Sequence, residues 1–125
     1  MVRVLIDEYR KNWVLRYLRE AKSDLSTAEN APTVSTSIHL SFLAMRKMQT
    51  AIYYSLGDPS YLSFLVASAL SEGSNDTDTL MHFLAQVEWL IQIRSVKASV
   101  SDKEDALTEA KQLMKMTLKI VNAII

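Results

Sequence analysis

The sequence predicts an all-α protein, an antiparallel four-helix up-and-down bundle with a short extra helix between the second and third long ones. Three observations carry this expectation. Two glycines in 125 residues leave little material for the tight hairpins of a sheet, which want glycine at positive φ. Apolar residues recur at three- and four-residue intervals over long stretches, the period of a helix with one buried face. The breakers fall at Asn30-Ala31-Pro32, Gly57-Asp58-Pro59, Gly73 to Asp78 and Ser101. They leave four long segments of about 20 residues, each about 30 Å as a helix, joined by turns short enough to make sequential helices antiparallel neighbours. No repeat of 34 or 40 residues suggests a solenoid.

The first helix is expected over roughly Val4 to Glu29, with Tyr9, Trp13, Tyr17, Ala21, Leu25 and Ala28 as its inward stripe. Thr33, Ser35 and Thr36 are all suitable N-caps for the second, whose hydroxyls can accept from unpaired backbone N–H groups. It runs to Leu56 with Ile38, Phe42, Met45, Ile52 and Leu56 on one face, and Gly57 is expected to end it in the left-handed conformation. Asp58-Pro59 reads as the cap and first residue of a short helix to Glu72. The third long helix is expected from Thr79 to about Val100, with Leu80, Phe83, Leu84, Val87, Leu90 and Ile91 inward. Ser101-Asp102-Lys103-Glu104 has the form of a capping box opening the last helix, whose stripe is Leu107, Ala110, Leu113, Met114, Leu118, Val121 and Ile125.

With 49% hydrophobic residues and balanced charge, residues 1–125 read as one helical-bundle domain able to hold a core without staples. The absence of cysteine excludes disulfide frameworks, thiolate nucleophiles and Cys-ligated metal sites, and fits a cytoplasmic location. Met1 to Ile6 lacks the apolar run of a secretory signal, and the longest polar-poor stretch, Tyr61 to Leu70, is too short to span a bilayer, so no membrane partner is expected.

Three stretches resemble the HEPN family, small four-helix bundles that accompany nucleotidyltransferases or act in RNA processing. WVLRYLREAKSDLSTAE, Trp13 to Glu29, is similar to the family's opening helix, with Ala21, Asp24, Leu25 and Ala28 in its A-x-x-D-L-x-x-A core. SFLAMRKMQTAIYYSL, Ser41 to Leu56, resembles the second helix through Ala44, Gln49 and Ala51 before a glycine, and Glu104 to Ile124 resembles the closing one. The resemblance implies a nucleotidyltransferase partner, with RNA or a nucleotide as ligand. Catalytic members carry an arginine followed after four to six residues by a histidine. Here Arg94 stands at the corresponding junction, but Ser99, Val100 and Ser101 occupy the histidine positions, and neither His39 nor His82 has an arginine at the required distance. The second helix also has Ala51 and Ile52 near the place of the family's Glu-Lys pair. The expected function is therefore a non-catalytic, HEPN-like binding protein with no cofactor, a companion that holds substrate for a nucleotidyltransferase. The alternatives are a divergent RNA-processing enzyme or RNA-binding protein using Arg94 and Lys97, and a structural dimerisation module.

The residues themselves suggest where ligands would sit. His39, Arg46, Thr50 and Tyr53 share a polar ridge on the second helix, where a guanidinium fork and a titratable imidazole could meet phosphate. His39, Arg46, Tyr53, Arg94 and Lys97 are thus the ligand-binding candidates. Net charge along the chain is +3 over residues 1–47, −5 over 48–93 and +2 over 94–125. Lys111, Lys115 and Lys119 fall one turn apart, and Arg10, Arg16 and Arg19 on the first helix would extend them into a basic face if those helices adjoin. The pair Asp78 and His82 offers two ligands, too few for a metal site, and Gly73-Ser74 with Asp76 and Asp78 is better read as a capped turn than as part of a nucleotidyltransferase signature. Finally, Tyr61, Leu62, Phe64, Leu65, Val66, Ala67, Ala69 and Leu70 make the short helix apolar nearly all round. With the apolar end Val121, Ile124 and Ile125, that segment leads us to expect a homodimer.

Overall fold

The computed structural model describes residues 8–72, 79–96 and 103–125, with the side chains of 72, 94–96, 103 and 104 excepted. The described residues form five helices and no strand: α1 (Glu8–Glu29), α2 (Val34–Leu56), α3 (Pro59–Glu72), α4 (Thr79–Val96) and α5 (Lys103–Ile124). Residues 4–7, 97–100 and the capping box at 101–104 lie wholly or in their side chains outside what is described. So do Gly73 to Asp78.

Local chemistry accounts for the helix ends. Thr33 is the N-cap of α2, its hydroxyl oxygen accepting from the Thr36 N–H at 3.1 Å. Thr33→Ala is expected to lower stability by about 1 kcal/mol, whereas Ser35→Ala should change it by less than about 0.5 kcal/mol; paired thermal melts check the contrast. Gly57 does not adopt the expected left-handed conformation. Its φ of 170° and ψ of −141° are extended, although its N–H still donates to Tyr53 O at 2.9 Å. The chain turns because Pro59 has no N–H to continue a helix and Asp58 starts a new one, its carboxylate accepting from the Ser60 N–H at 3.0 Å.

The middle of the molecule is α2, which packs against α1, α5, α4 and α3. A helix covered on so many sides must present small residues where neighbours come close. Ser37, Ser41, Ala44, Ala51 and Ser55 of α2 are fully buried, as are Ala110 and Thr117 of α5. The buried hydroxyls do not go unpaired. Ser37 donates to Ala28 O at 2.8 Å and so ties α2 to α1, while Ser41, Ser55 and Thr117 donate to carbonyls of their own helices at 2.7–2.9 Å.

The core has three parts. Ala21, Leu25, Ala44, Met45, Met48, Val87, Ile91, Ala110 and Leu113 join α1, α2, α4 and α5. Val14, Leu18, Ala51 and Val121 join α1, α2 and α5. Ile52, Tyr53, Val66 and Leu84 seat α3 against α2 and α4.

Several expected inward residues are displaced. On α1 Ala21, Leu25 and Ala28 are buried as expected, but nearer its start Val14 and Leu18 enter the core and Tyr9 is 67% exposed. Its aromatic residues instead run along the edge facing the end of α2, where Trp13 and Tyr17 stack on Tyr54 with centroids 6.1 and 5.9 Å away. Rings with polar handles favour such an edge, where one side is dry and the other wet. Leu80 and Leu118 are likewise exposed, whereas Val121, expected at a dimer surface, is buried against Val14 and Ala51.

Candidate functional site

Two arrangements on opposite helix pairs concentrate chemistry. The first is a polar cluster between α2 and α4. Arg46 grips Glu88 with both arms of its guanidinium, Nη1 to Oε1 at 2.6 Å and Nη2 to Oε2 at 3.2 Å. The Gln49 side chain, only 5% exposed as a residue, donates from Nε2 to Glu88 Oε1 at 2.7 Å and accepts from Arg46 at 2.8 Å. Its amide also donates to the Tyr53 hydroxyl at 3.1 Å, and Gln92 donates to Glu88 Oε2 at 2.7 Å.

Charge in this cluster is set by two opposing effects. Burial pushes the Glu88 carboxyl up, but the hydrogen bonds from Arg46, Gln49 and Gln92 outweigh it and hold the group below its ordinary range. For Tyr53 burial and the nearby Glu88 charge act in the same sense, pushing its hydroxyl up to about 12. That raised value stabilises the fold fully below pH 10, the ordinary tyrosine value, and the contribution is lost as pH rises through about 12. Unfolding monitored between pH 9 and 12 is expected to show a steeper loss of stability for the parent than for Tyr53→Phe; identical slopes would contradict the assignment.

The second arrangement is a groove of about 670 Å³ between α1 and α5. These two helices touch far less than either touches α2. The space left between them is floored by Leu15, Leu18 and Leu25 from α1 and by Met114 and Leu118 from α5. Arg16, Arg19 and Lys22 line it too, adding three cations to a trough whose one other polar lining residue is Asn12. Arg16 pairs with Glu20 at 3.1 Å, and that hydrogen bond holds the Glu20 carboxyl below its ordinary range against a smaller desolvation effect. Among the described residues neither Arg19 nor Lys22 has an ion-pair partner. One end of the groove is tied by an ion pair from Lys111 to Glu29. Lys47 braces the other side of α1 by reaching Asp24 at 2.8 Å and Glu20 at 3.4 Å, and the hydrogen bond to Asp24 holds its amine above the ordinary range.

Comparison with family models, curated proteins and solved structures finds no match to this chain. The candidate residues are therefore judged by position alone. Arg46 and Tyr53 do come together, through Gln49 and Glu88, while His39 stands exposed two turns before Arg46 and outside the cluster. Both arms of the Arg46 guanidinium are already taken up by the Glu88 carboxylate. The side chain of Arg94 and all of Lys97 lie outside the described residues. Lys111 is engaged with Glu29, and Lys115 and Lys119 are exposed on α5. His82 contacts Gln86 at 3.1 Å, and no group of three or more potential metal-ligating side chains exists among the described residues.

Sequence reasoning missed Gln49, Glu88 and Gln92 as a site, and it missed the groove. Glu88 and Gln92 are one turn apart, a visible spacing, but nothing local links them to Arg46 on another helix. Leu15 falls off the aromatic stripe of α1 and beside Arg16 and Arg19, which was the available sign of a second apolar face. Among the described residues no helix is long and apolar enough to cross a membrane.

Proposed function

We propose that the chain is a non-catalytic, HEPN-like interaction protein that works in the cytoplasm as a homodimer and serves as the substrate-holding companion of a nucleotidyltransferase. In this reading the four long helices form an antiparallel up-and-down bundle, with α3 inserted as the dimer surface. The companion role rests on the resemblance of Trp13–Glu29, Ser41–Leu56 and Glu104–Ile124 to that family. Apolar burial at several faces of α2 and the closed Arg46–Glu88 cluster suit a scaffold, since the strongest polar groups are spent on holding α2 to α4.

The observation that carries the interaction reading is α3. From Pro59 to Ser71 it has no charged residue, yet only Val66 is deeply buried, and Tyr61 and Phe64 are 60% and 65% exposed. These rings lie one turn apart, flanked by the exposed small residues Ser60, Ser63 and Ala67, so a second copy of the helix can approach closely. An uncharged, aromatic-centred face of this kind matches the composition of interface cores.

Sedimentation equilibrium at micromolar concentration is expected to give a dimer that Phe64→Asp converts to monomer with an unchanged circular dichroism spectrum. A parent protein that is monomeric at 100 micromolar would overturn the dimer, and native mass spectrometry of the protein from its host would test for the nucleotidyltransferase chain.

A further inference from the structure

We propose that the α1–α5 groove is a docking site for an amphipathic helix with acidic flanks, supplied by a partner protein. The inference rests on reading the chain as an interaction protein but uses a surface separate from α3. Three features of the groove choose this occupant.

The first is length. The groove follows α1 from Asn12 to Leu25, which at about 1.5 Å per residue is about 20 Å, enough for about thirteen residues of a guest helix. The second is shape. A trough open along its outer side leaves a bound acyl chain largely wet, whereas small-molecule sites cover most of their ligand. An amphipathic helix needs only its apolar stripe covered, and its i, i+3/i+4, i+7 side chains can fill the spaces beside Leu15 and Leu118, which are both exposed. The third is charge. Arg19 and Lys22 line the trough with no acid paired to them among the described residues, and Lys115 is exposed one turn after Lys111, the residue that reaches across to α1. Cations thus flank the apolar floor from α1 and, by helical spacing, from α5. A guest with carboxylates on both sides of its apolar stripe complements them and a basic guest is repelled.

The same cations would attract nucleic acid, but the floor favours protein. Single-stranded nucleic acid is held by aromatic rings that stack on bases, and the groove is floored with leucine and methionine and has no aromatic lining residue.

The test uses a fluorescein-labelled helical peptide of about fourteen residues with leucines at three- and four-residue spacing and flanking glutamates, and its counterpart with lysines in place of the glutamates. The full-length protein is titrated against each by anisotropy, alongside oligouridylate. The acidic peptide is expected to bind and the basic one not. Arg19→Glu combined with Lys22→Glu should weaken the acidic peptide by at least about tenfold and gain binding of the basic one. Leu15→Asp should abolish both. Because Leu15, Arg19 and Lys22 are exposed, these variants should retain the parent's thermal midpoint within a few degrees, and the charge-swapped specificity cannot arise from unfolding.

Equal binding of both peptides would overturn the proposal, as would tighter binding of oligouridylate at the same residues. So would a dimer that Leu15→Asp dissociates, because a second copy would then fill the groove. Failure of the α3 dimer leaves the peptide result intact, since Phe64→Asp is read by mass and the groove by anisotropy.

Discussion

Met48→Ala is expected to lower unfolding free energy by about 2–5 kcal/mol, a large part of the about 5–15 kcal/mol typical of a domain. Met48 is fully buried in the part of the core shared by α1, α2, α4 and α5. Truncation removes the transfer free energy of three heavy atoms and also leaves a void. The void closes poorly, because the surrounding residues include Ala21, Ala44 and Ala110, which have no side chain long enough to swing into it. Met48→Leu conserves most of the volume and should cost less than about 1.5 kcal/mol. Urea denaturation checks the pair: the midpoint should fall sharply for alanine with the slope unchanged. An alanine variant within about 1 kcal/mol of the parent would mean that the four helices do not converge on this residue.

The same close packing explains which parts of the fold could be read from the sequence. Helix existence and the starts at Val34, Pro59 and Thr79 follow from local signals, the Thr33 hydroxyl, the Asp58-Pro59 pair and a polar turn. The facing of each helix is a different matter. On α1 the expected stripe holds in its second half, where Ala21, Leu25 and Ala28 are buried, but not in its first, because Trp13 and Tyr17 stack on Tyr54 at the edge while Val14 and Leu18 enter the core. Both pairs have helical spacing, and only the position of α2 decides between them. The centrality of α2 was hidden for a related reason: its close contacts depend on serine and alanine, which hydropathy patterns discount. The ridge from His39 to Tyr53 had correct spacing too, yet burial separates its members, leaving His39 exposed and Tyr53 5% exposed. Glu88 lies 42 residues from Arg46, beyond any helical register. The groove is harder still to foresee, since it exists where two helices fail to meet.

Glu88→Ala is expected to cost about 2 kcal/mol at neutral pH, and the part of that cost owed to the carboxylate's charge should vanish in acid. The carboxylate accepts from Arg46, Gln49 and Gln92, and Gln49 is nearly buried, so its amide keeps only the Tyr53 hydroxyl as acceptor once Glu88 is gone. A buried donor deprived of a partner costs about 1–3 kcal/mol, and the lost ion pair adds little because Arg46 remains substantially in water. Glu88→Gln keeps an acceptor oxygen for Gln49 and should cost about 1 kcal/mol, the part owed to charge-assisted hydrogen bonding. The pH dependence has a definite sign. Burial raises the Glu88 pKa, but the three hydrogen bonds bring it below the ordinary 4.5, so its charged form is favoured by folding. The resulting stability is complete above about pH 4.5 and disappears as pH falls through the lower folded-state value. Urea midpoints followed from pH 7 down through the acid range should therefore show the parent losing more than either variant, so that Glu88→Gln closes on the parent while Glu88→Ala keeps the deficit of the unpaired Gln49 amide. A Glu88→Gln gap that stays as wide in acid as at pH 7 would remove the charge from the account of how α4 is held to α2.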